Sequence, residues 1–407
     1  MRGRVPTAPA GTAPCLPWGM TVRMLTIATA VPDTQIHQPD VAKLFANQPA
    51  MTRLGSRLVG SAFAGSGVAT RHTVLPELGT AVSRGLDGTN ETDDAAPSPF
   101  VDPVSGHLLS PGTQTRNQLY TEHARRLFVR VGRTALAQAA PAVEPEDVTH
   151  VITVSCTGFF APGPDVRVVK DLGLPANVAR THLGFMGCNA AFPALRAAYT
   201  ACRSDPQAVV LVVCVELCTL HLHVRNDPDT IMGNALFADG AAATVVTARD
   251  SGDPTVEPVL ELEDFETTLA PVGEEDLAWS VGDEGFEMIL GTYVPRIIDD
   301  HVTDALAPLL SRAELDAAEI PLWAVHPGGR SILDKVQSRL GLTHEQMEPS
   351  RGVLSEVGNM SSATILFVLD RIRTSGARGL VAALAFGPGL SIESALVRAV
   401  EPEVRPR

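Results

Sequence analysis

An apolar run from Val22, VRMLTIATAV, reads as a strand, and apolar residues at helical spacing follow it to about Gly65. Over residues 77–115 that periodicity lapses into Gly, Pro, Ser, Thr and Asp, a composition that predicts a long surface loop or lid. Apolar positions then recur at Leu119, Ala124, Leu127, Val131 and Leu136, predicting one long helix over 115–140.

From 149 to 249 strands and helices alternate. THVITVSCTGF predicts a buried strand running into a loop, and DVRVVKDLGL a helix stopped by glycine. HLGFMG leads into a helix from Asn189, NAAFPALRAAYTACR. AVVLVVCVELCTL is apolar on both faces, as a central strand requires, and ALFADGAAATVVT reads as strand, turn, strand. The C-terminal half replays this order. PLWAVHPGG is strand into loop, RSILDKVQSRLGL a helix with the same LGL ending, GVLSEVGNMSSATILFVLDRI loop into helix, and GLVAALAFGPGLSIESALV strand, turn, strand. Spacings agree too: Leu174 to Cys188 is 14 residues and Leu342 to Asn359 is 17, while Cys188 to Val209 is 21 and Asn359 to Gly379 is 20. Two similar α/β halves are expected, over 22–250 and 251–400, with a disordered tail at 1–21 and a short one at 401–407. In such a pair the junctions at Cys188 and Asn359 face each other, and His326 enters from a strand end.

The 407 residues, 45% hydrophobic and 19% charged, suffice for cores in about two domains. A formal charge of −14 repels phosphate backbones and argues against nucleic acid, although a local basic mouth can still bind a phosphate. Six cysteines (Cys15, Cys156, Cys188, Cys202, Cys214, Cys218) show no CxxC pair and no disulfide-framework spacing, so free thiols in a reducing compartment, the cytoplasm, are expected. No apolar run reaches the ~18 residues of a membrane span. Prolines and glycines break the first twenty residues, which predicts a disordered tail, or a start at Met20 or Met24, rather than a signal peptide.

Cys188 lies in GFMGCNAAFP, beside Gly187 and at the expected start of an alanine-rich helix. Unpaired N–H groups and the positive helix end there favour thiolate, and small neighbours admit a carbonyl. Cys202 and Cys214 lack that context and read as small buried hydrophobes. His326, in AVHPGGR, ends a buried strand, where α/β folds place chemistry, and can hold a thiolate or donate to an oxyanion. His221 and His223 share one side of a strand, but no third ligand stands at metal spacing, and no metal is expected. Asn359, in VGNMSSAT, suits either a helix cap or, opposite Cys188, a donor to a bound carbonyl.

Taken together, GFMGCNAAFPALR, LFADGAAATVV, HPGGRSILD, GNMSSAT and AFGPGLSIE resemble the chalcone synthase-like (type III polyketide synthase) family from about Val22 to Val400. The resemblance implies a thiolase-like fold with a layered αβαβα core, a homodimer, and no cofactor beyond CoA thioesters as substrates. It implies Cys188 as the acylated nucleophile, with His326 and Asn359 promoting decarboxylation of malonyl-CoA. Phe237 falls on the family's gatekeeper position, and Met288, in DEGFEMIL, replaces a second, aromatic gatekeeper. Ala161 stands where plant enzymes carry a methionine that reaches across the dimer. Cys156 and Cys218 match cavity cysteines of bacterial members, and His221 falls on a cavity-lining threonine position. Arg53, Arg57 and Arg71 are the candidates for CoA contacts. These departures resemble bacterial alkylresorcinol or alkylpyrone synthases, so a fatty acyl starter is expected, with a malonyl-primed tetrahydroxynaphthalene synthase as the alternative. Ketoacyl synthase III shares the Cys/His/Asn trio, but HPGG and GPGL argue against it. Thiolase needs a second catalytic cysteine, and none follows Cys218. A Cys-His-Asn hydrolase or a non-catalytic scaffold fits the doubled plan and intact trio less well.

Overall fold

The computed structural model describes residues 20–87, 98–249 and 259–400. β1 (Val22–Ala30) comes first. A small antiparallel pair, β2 (Thr34–His37) and β3 (Thr70–Thr73), brackets α1 (Gln38–Ala46) and α2 (Arg53–Gly65). α3 (Pro76–Asp87) occupies the start of the segment expected as loop, with Leu78, Ala81 and Val82 buried; interspersed Gly79 and Thr80 mask its periodicity. Farther on, that segment holds an isolated bridge between Val101 and Leu108, while 88–97 lies outside the described residues. The long helix is α4 (Thr113–Ala139), and β4 (His150–Ser155), α5 (Pro164–Leu172), β5 (Ala179–Gly184), α6 (Ala191–Ser204), β6 (Val209–Leu217), α7 (Pro228–Leu236) and β7 (Asp239–Thr247) complete the first half. The second half runs β8 (Val259–Leu269), β9 (Leu277–Gly282), β10 (Gly285–Leu290), α8 (Val294–Arg312), β11 (Leu322–Val325), α9 (Arg330–Leu340), α10 (His344–Val357), α11 (Thr364–Thr374), β12 (Gly379–Gly387) and β13 (Ser391–Val400).

Two local expectations change. ALFADG, read as strand and turn, closes α7, which begins because Asp227 accepts from the Thr230 N–H ahead of Pro228. GVLSEV, read as loop, belongs to α10, started upstream by a Thr343–Gln346 capping box. The two LGL stops hold: Gly173 and Gly341 close α5 and α9 in the left-handed region, at φ 70° and 66°.

Nine strands form one sheet in the order β11-β12-β13-β8-β1-β7-β6-β4-β5. Read outward from the middle, β1-β7-β6-β4 and β8-β13-β12-β11 repeat the same senses: antiparallel, antiparallel, parallel. β5 extends only the first set, and the sets join where β1 pairs β8, Val22 against Leu262. Strands at the heart of each set are apolar on both faces. In β6, Val209, Leu211, Val213 and Val215 face α4, while Val210, Val212 and Cys214 face α6. In β12, Leu380, Ala382 and Leu384 face the core of α8–α10, while Val381, Ala383 and Ala385 face inward. α6 and α11 therefore lie between the two halves of the sheet, with outer helices on either side, giving the layered αβαβα core. Phe192, Leu195, Leu366 and Leu369 are buried in that central layer, each stabilising it by about 1.5–3 kcal/mol. Among the described residues no helix is long and apolar enough to cross a membrane.

Candidate active site

The central helices start where the two halves meet, and the loops before them build the site. Cys188 sits in the turn Gly187–Ala190, closed by Ala190 N–H to Gly187 O at 3.1 Å, just ahead of α6 rather than within it. Gly187 has φ 80°, and a Cβ there would lie 2.2 Å from Cδ of Pro388. Asn189 Nδ2 donates to Ser391 O at 3.2 Å and Oγ at 2.8 Å. The GCN and GPGL segments are thus interlocked, one from each half, and that close approach requires their glycines.

Asn359 follows α10 and bridges to Phe237: its N–H donates to Leu236 O at 3.0 Å, and Ala238 N–H donates to its O at 2.9 Å. Its Oδ1 accepts from Ser361 N–H at 2.9 Å and Thr364 Oγ1 at 3.4 Å. Asn359 therefore does not cap α11, whose N-cap is Ala363; its Oδ1 fixes the turn at Ser361 and leaves Nδ2 toward Cys188. Burial pushes the Cys188 thiol up to about 11, opposed by hydrogen bonds from Ser361 and Asn359. That burial opposes the thiolate that a helix start favours.

His326 leaves β11 with its N–H donating to Leu384 O at 2.8 Å. Both ring nitrogens are buried without a partner among the described residues, and burial drives its pKa down to about 3. That burial favours the neutral imidazole. An unpartnered buried donor is costly to keep. Here it faces the pocket.

That pocket, about 50 Å³, is lined by Cys188, His326 and Asn359, and by the expected Phe237, Met288, Cys156 and Cys218. Two lining or supporting residues were missed. Trp279, on β9, lines the pocket and donates its indole N–H to Cys156 O at 2.8 Å. Glu216, wholly buried at the end of β6, accepts from Cys156 N–H (3.0 Å), Thr157 Oγ1 (2.8 Å) and Ser362 Oγ (2.5 Å); burial raises its pKa. A lone acid inside the apolar run VVLVVCVEL was the available signal for Glu216.

His221 and Arg71 depart from their expected places. His221 does not line the Cys188 pocket; it stacks on Phe286 at 4.3 Å behind Trp279, bonded to Thr157 O at 2.8 Å. Ala161 is exposed on the surface of the chain. Arg71 points inward from β3, 1% exposed, and donates to Phe237 O at 2.8 Å beside Asp239, so it braces the gatekeeper and cannot reach CoA. Arg53 and Arg57 are exposed on α2, whose Leu58, Ser61, Ala62 and Gly65 line an outer cleft of about 380 Å³ together with Arg330. Leu290, Gly328 and Ile332 border both spaces, so the cleft adjoins the Cys188 pocket.

Family models match the chain in two consecutive stretches, the chalcone and stilbene synthase N-terminal domain over 103–250 and the C-terminal domain over 261–401. The chain is 33% identical over 305 residues to the alpha-pyrone synthesis polyketide synthase-like Pks18 of Mycobacterium tuberculosis, covering 73% of this chain and 77% of that protein. It is 33% identical over 334 residues to the bisdemethoxycurcumin synthase of Oryza sativa subsp. japonica, covering 78% and 80%. The crystal structure of PKS-I from the brown alga Ectocarpus siliculosus superposes with a TM-score of 0.82 at 28% identity, covering 93% of this chain and 98% of that one. The C-terminal type III polyketide synthase domain of Steely1 from Dictyostelium gives 0.81 at 26% identity, covering 93% and 99%.

Proposed function

Because the chain belongs to the chalcone and stilbene synthase family and is a type III polyketide synthase, we propose that Cys188 carries the acyl chain while His326 and Asn359 stabilise the malonyl-derived enolate. One observation carries this reading: a thiol, an imidazole with both nitrogens unpartnered and an amide whose N–H₂ is turned to that thiol converge on one pocket from both halves of the chain. The acyl-CoA enters through the outer cleft. Neutral His326 takes the Cys188 proton as sulfur attacks the thioester carbonyl, and the CoA thiolate leaves with a proton. Malonyl-CoA then loses CO2, leaving an enolate whose oxygen accepts from the His326 and Asn359 N–H groups, each worth about 3–4 kcal/mol. The enolate carbon attacks the Cys188 thioester, sulfur is released, and the lengthened chain returns to it.

A pocket of about 50 Å³ beside Cys188, against 380 Å³ outside it, favours a short starter over the fatty chain expected from Ala161 and Met288. The reading is therefore a short-chain synthase releasing a pyrone, a product class named for the mycobacterial relative. A homodimer completes the proposal. Phe159 (53% exposed) and Met186 (41%) lie near the exposed edge strand β5, a surface that a second copy would cover. Its described cysteines are free thiols, which accords with work in the cytoplasm. Incubation with malonyl-CoA and short or long acyl-CoAs, followed by product mass spectrometry, tests the whole. Absence of CO2 release and of any polyketide would end it, and a better yield from long-chain starters would restore the fatty reading.

A further inference from the structure

A buried guanidinium is costly to keep. Arg71, on β3, is 1% exposed, and its Nε and Nη2 have no hydrogen-bond partner among the described residues. Burial lowers its pKa to about 10, so it stays a cation at neutral pH, with Asp239 supporting that charge. The Asp239 carboxylate is itself engaged elsewhere, accepting from Val74 N–H (2.8 Å), Thr219 N–H (2.8 Å) and Thr219 Oγ1 (2.6 Å). The hydrogen bond that Arg71 does make runs from Nη1 to Phe237 O at 2.8 Å.

That carbonyl heads a chain of polar groups. Its own peptide presents Ala238 N–H to Asn359 O at 2.9 Å. The peptide after Asn359 presents Met360 N–H to Thr364 Oγ1 at 2.8 Å, and Thr364 Oγ1 donates to Asn359 Oδ1 at 3.4 Å. Every link donates in the same direction, so a positive charge at Arg71 polarises each successive bond in the low-dielectric interior. The chain ends on the amide whose Nδ2 faces Cys188. Tight packing holds it together: Gly358 has φ 74°, and a Cβ there would lie 3.1 Å from Leu236 O and 3.4 Å from Arg71 Cβ.

We propose that Arg71 is a positioning residue for enolate formation: acting through these four hydrogen bonds, its guanidinium orients the Asn359 amide and strengthens its N–H as a donor. The proposal rests on the reading of Asn359 as the enolate donor. Because the last link is long, breaking the chain should cost roughly 3–30-fold in decarboxylation, less than the about 10²–10³-fold for losing the donor itself.

The test follows malonyl-CoA decarboxylation in Arg71→Met, Arg71→Lys, Thr364→Val and Thr364→Ser, with Asn359→Ala as reference. Loading of Cys188 from a short acyl-CoA, a step assigned to His326, is read in the same preparations by intact-protein mass. Arg71→Met and Thr364→Val should each lower kcat by that factor, with KM and the rate of Cys188 loading unchanged. Arg71→Lys and Thr364→Ser, which keep the cation and the hydroxyl, should restore most of it. Combining Arg71→Met with Thr364→Val should cost less than the product of the two losses. Thr364→Val carries the test if Arg71→Met does not fold. Unchanged kcat, an equal loss of loading and decarboxylation, or multiplied losses in the double variant would overturn the proposal. Wild-type decarboxylation in Asn359→Ala would instead remove the reading beneath it.

Discussion

Replacing Asn359 separates its two roles. Its Nδ2 faces Cys188, where the proposed enolate would form, while Oδ1 accepts from Ser361 N–H at 2.9 Å. Asn359→Ala removes both functions. Losing the donor should slow malonyl-CoA decarboxylation by about 10²–10³-fold, and losing the turn acceptor, a bond of the same kind as a helix cap, should cost roughly 0.5–2 kcal/mol of stability. Asn359→Asp keeps a turn acceptor of the same shape but replaces the donor with a carboxylate beside a developing negative charge. It should retain more stability than the alanine variant yet lose at least as much decarboxylation. Urea unfolding gives the first quantity, and release of CO2 from labelled malonyl-CoA at saturating enzyme gives the second. Wild-type decarboxylation by Asn359→Asp would refute the donor assignment and leave only the turn acceptor. So would a loss in Asn359→Ala that merely tracks the unfolded fraction.

Two pH dependences follow from the burial of the site. With its thiol pushed up to about 11, Cys188 should be alkylated by iodoacetamide at a rate that rises about tenfold per pH unit between about pH 7 and 9; a plateau below pH 8 would mean a resting thiolate after all. His221, driven down to about 3 from 6.5, is held neutral in the fold, so the unfolded chain binds its proton first as pH falls below 6.5. The stability advantage of wild type over His221→Gln should therefore shrink on acidification, by up to about 1.4 kcal/mol per pH unit. Asp239, raised to about 6, works in the opposite sense but is common to both proteins and cancels. A pH-independent difference would contradict the buried neutral imidazole.

Where each residue's environment is set by its own segment, the sequence was readable. β6 shows its double burial in an unbroken apolar run, α5 and α9 announce their ends through LGL, and the doubled order brings Cys188 and Asn359 together. What stayed hidden depends on contacts between segments. The strand TRHT has no apolar alternation to show that Arg71 faces inward. β9, LAWSVG, is only partly buried along its length, so nothing local reveals that Trp279 reaches the nucleophile's pocket. His221 shifts behind that pocket because Phe286 of β10 stacks on it, sixty-five residues away in the chain. Cys188 answers to both scales: the dipole of α6 is local, while the burial that opposes it comes from the whole assembled core.

Mass spectrometry of the protein trapped during turnover tests the central claim most directly. Wild type mixed with a short acyl-CoA and malonyl-CoA, quenched with acid and digested, should carry starter and extended acyl chains on the peptide containing Cys188, and Cys188→Ala should carry none. An acyl chain mapped to Cys156 or Cys218, or persisting in Cys188→Ala, would contradict the account.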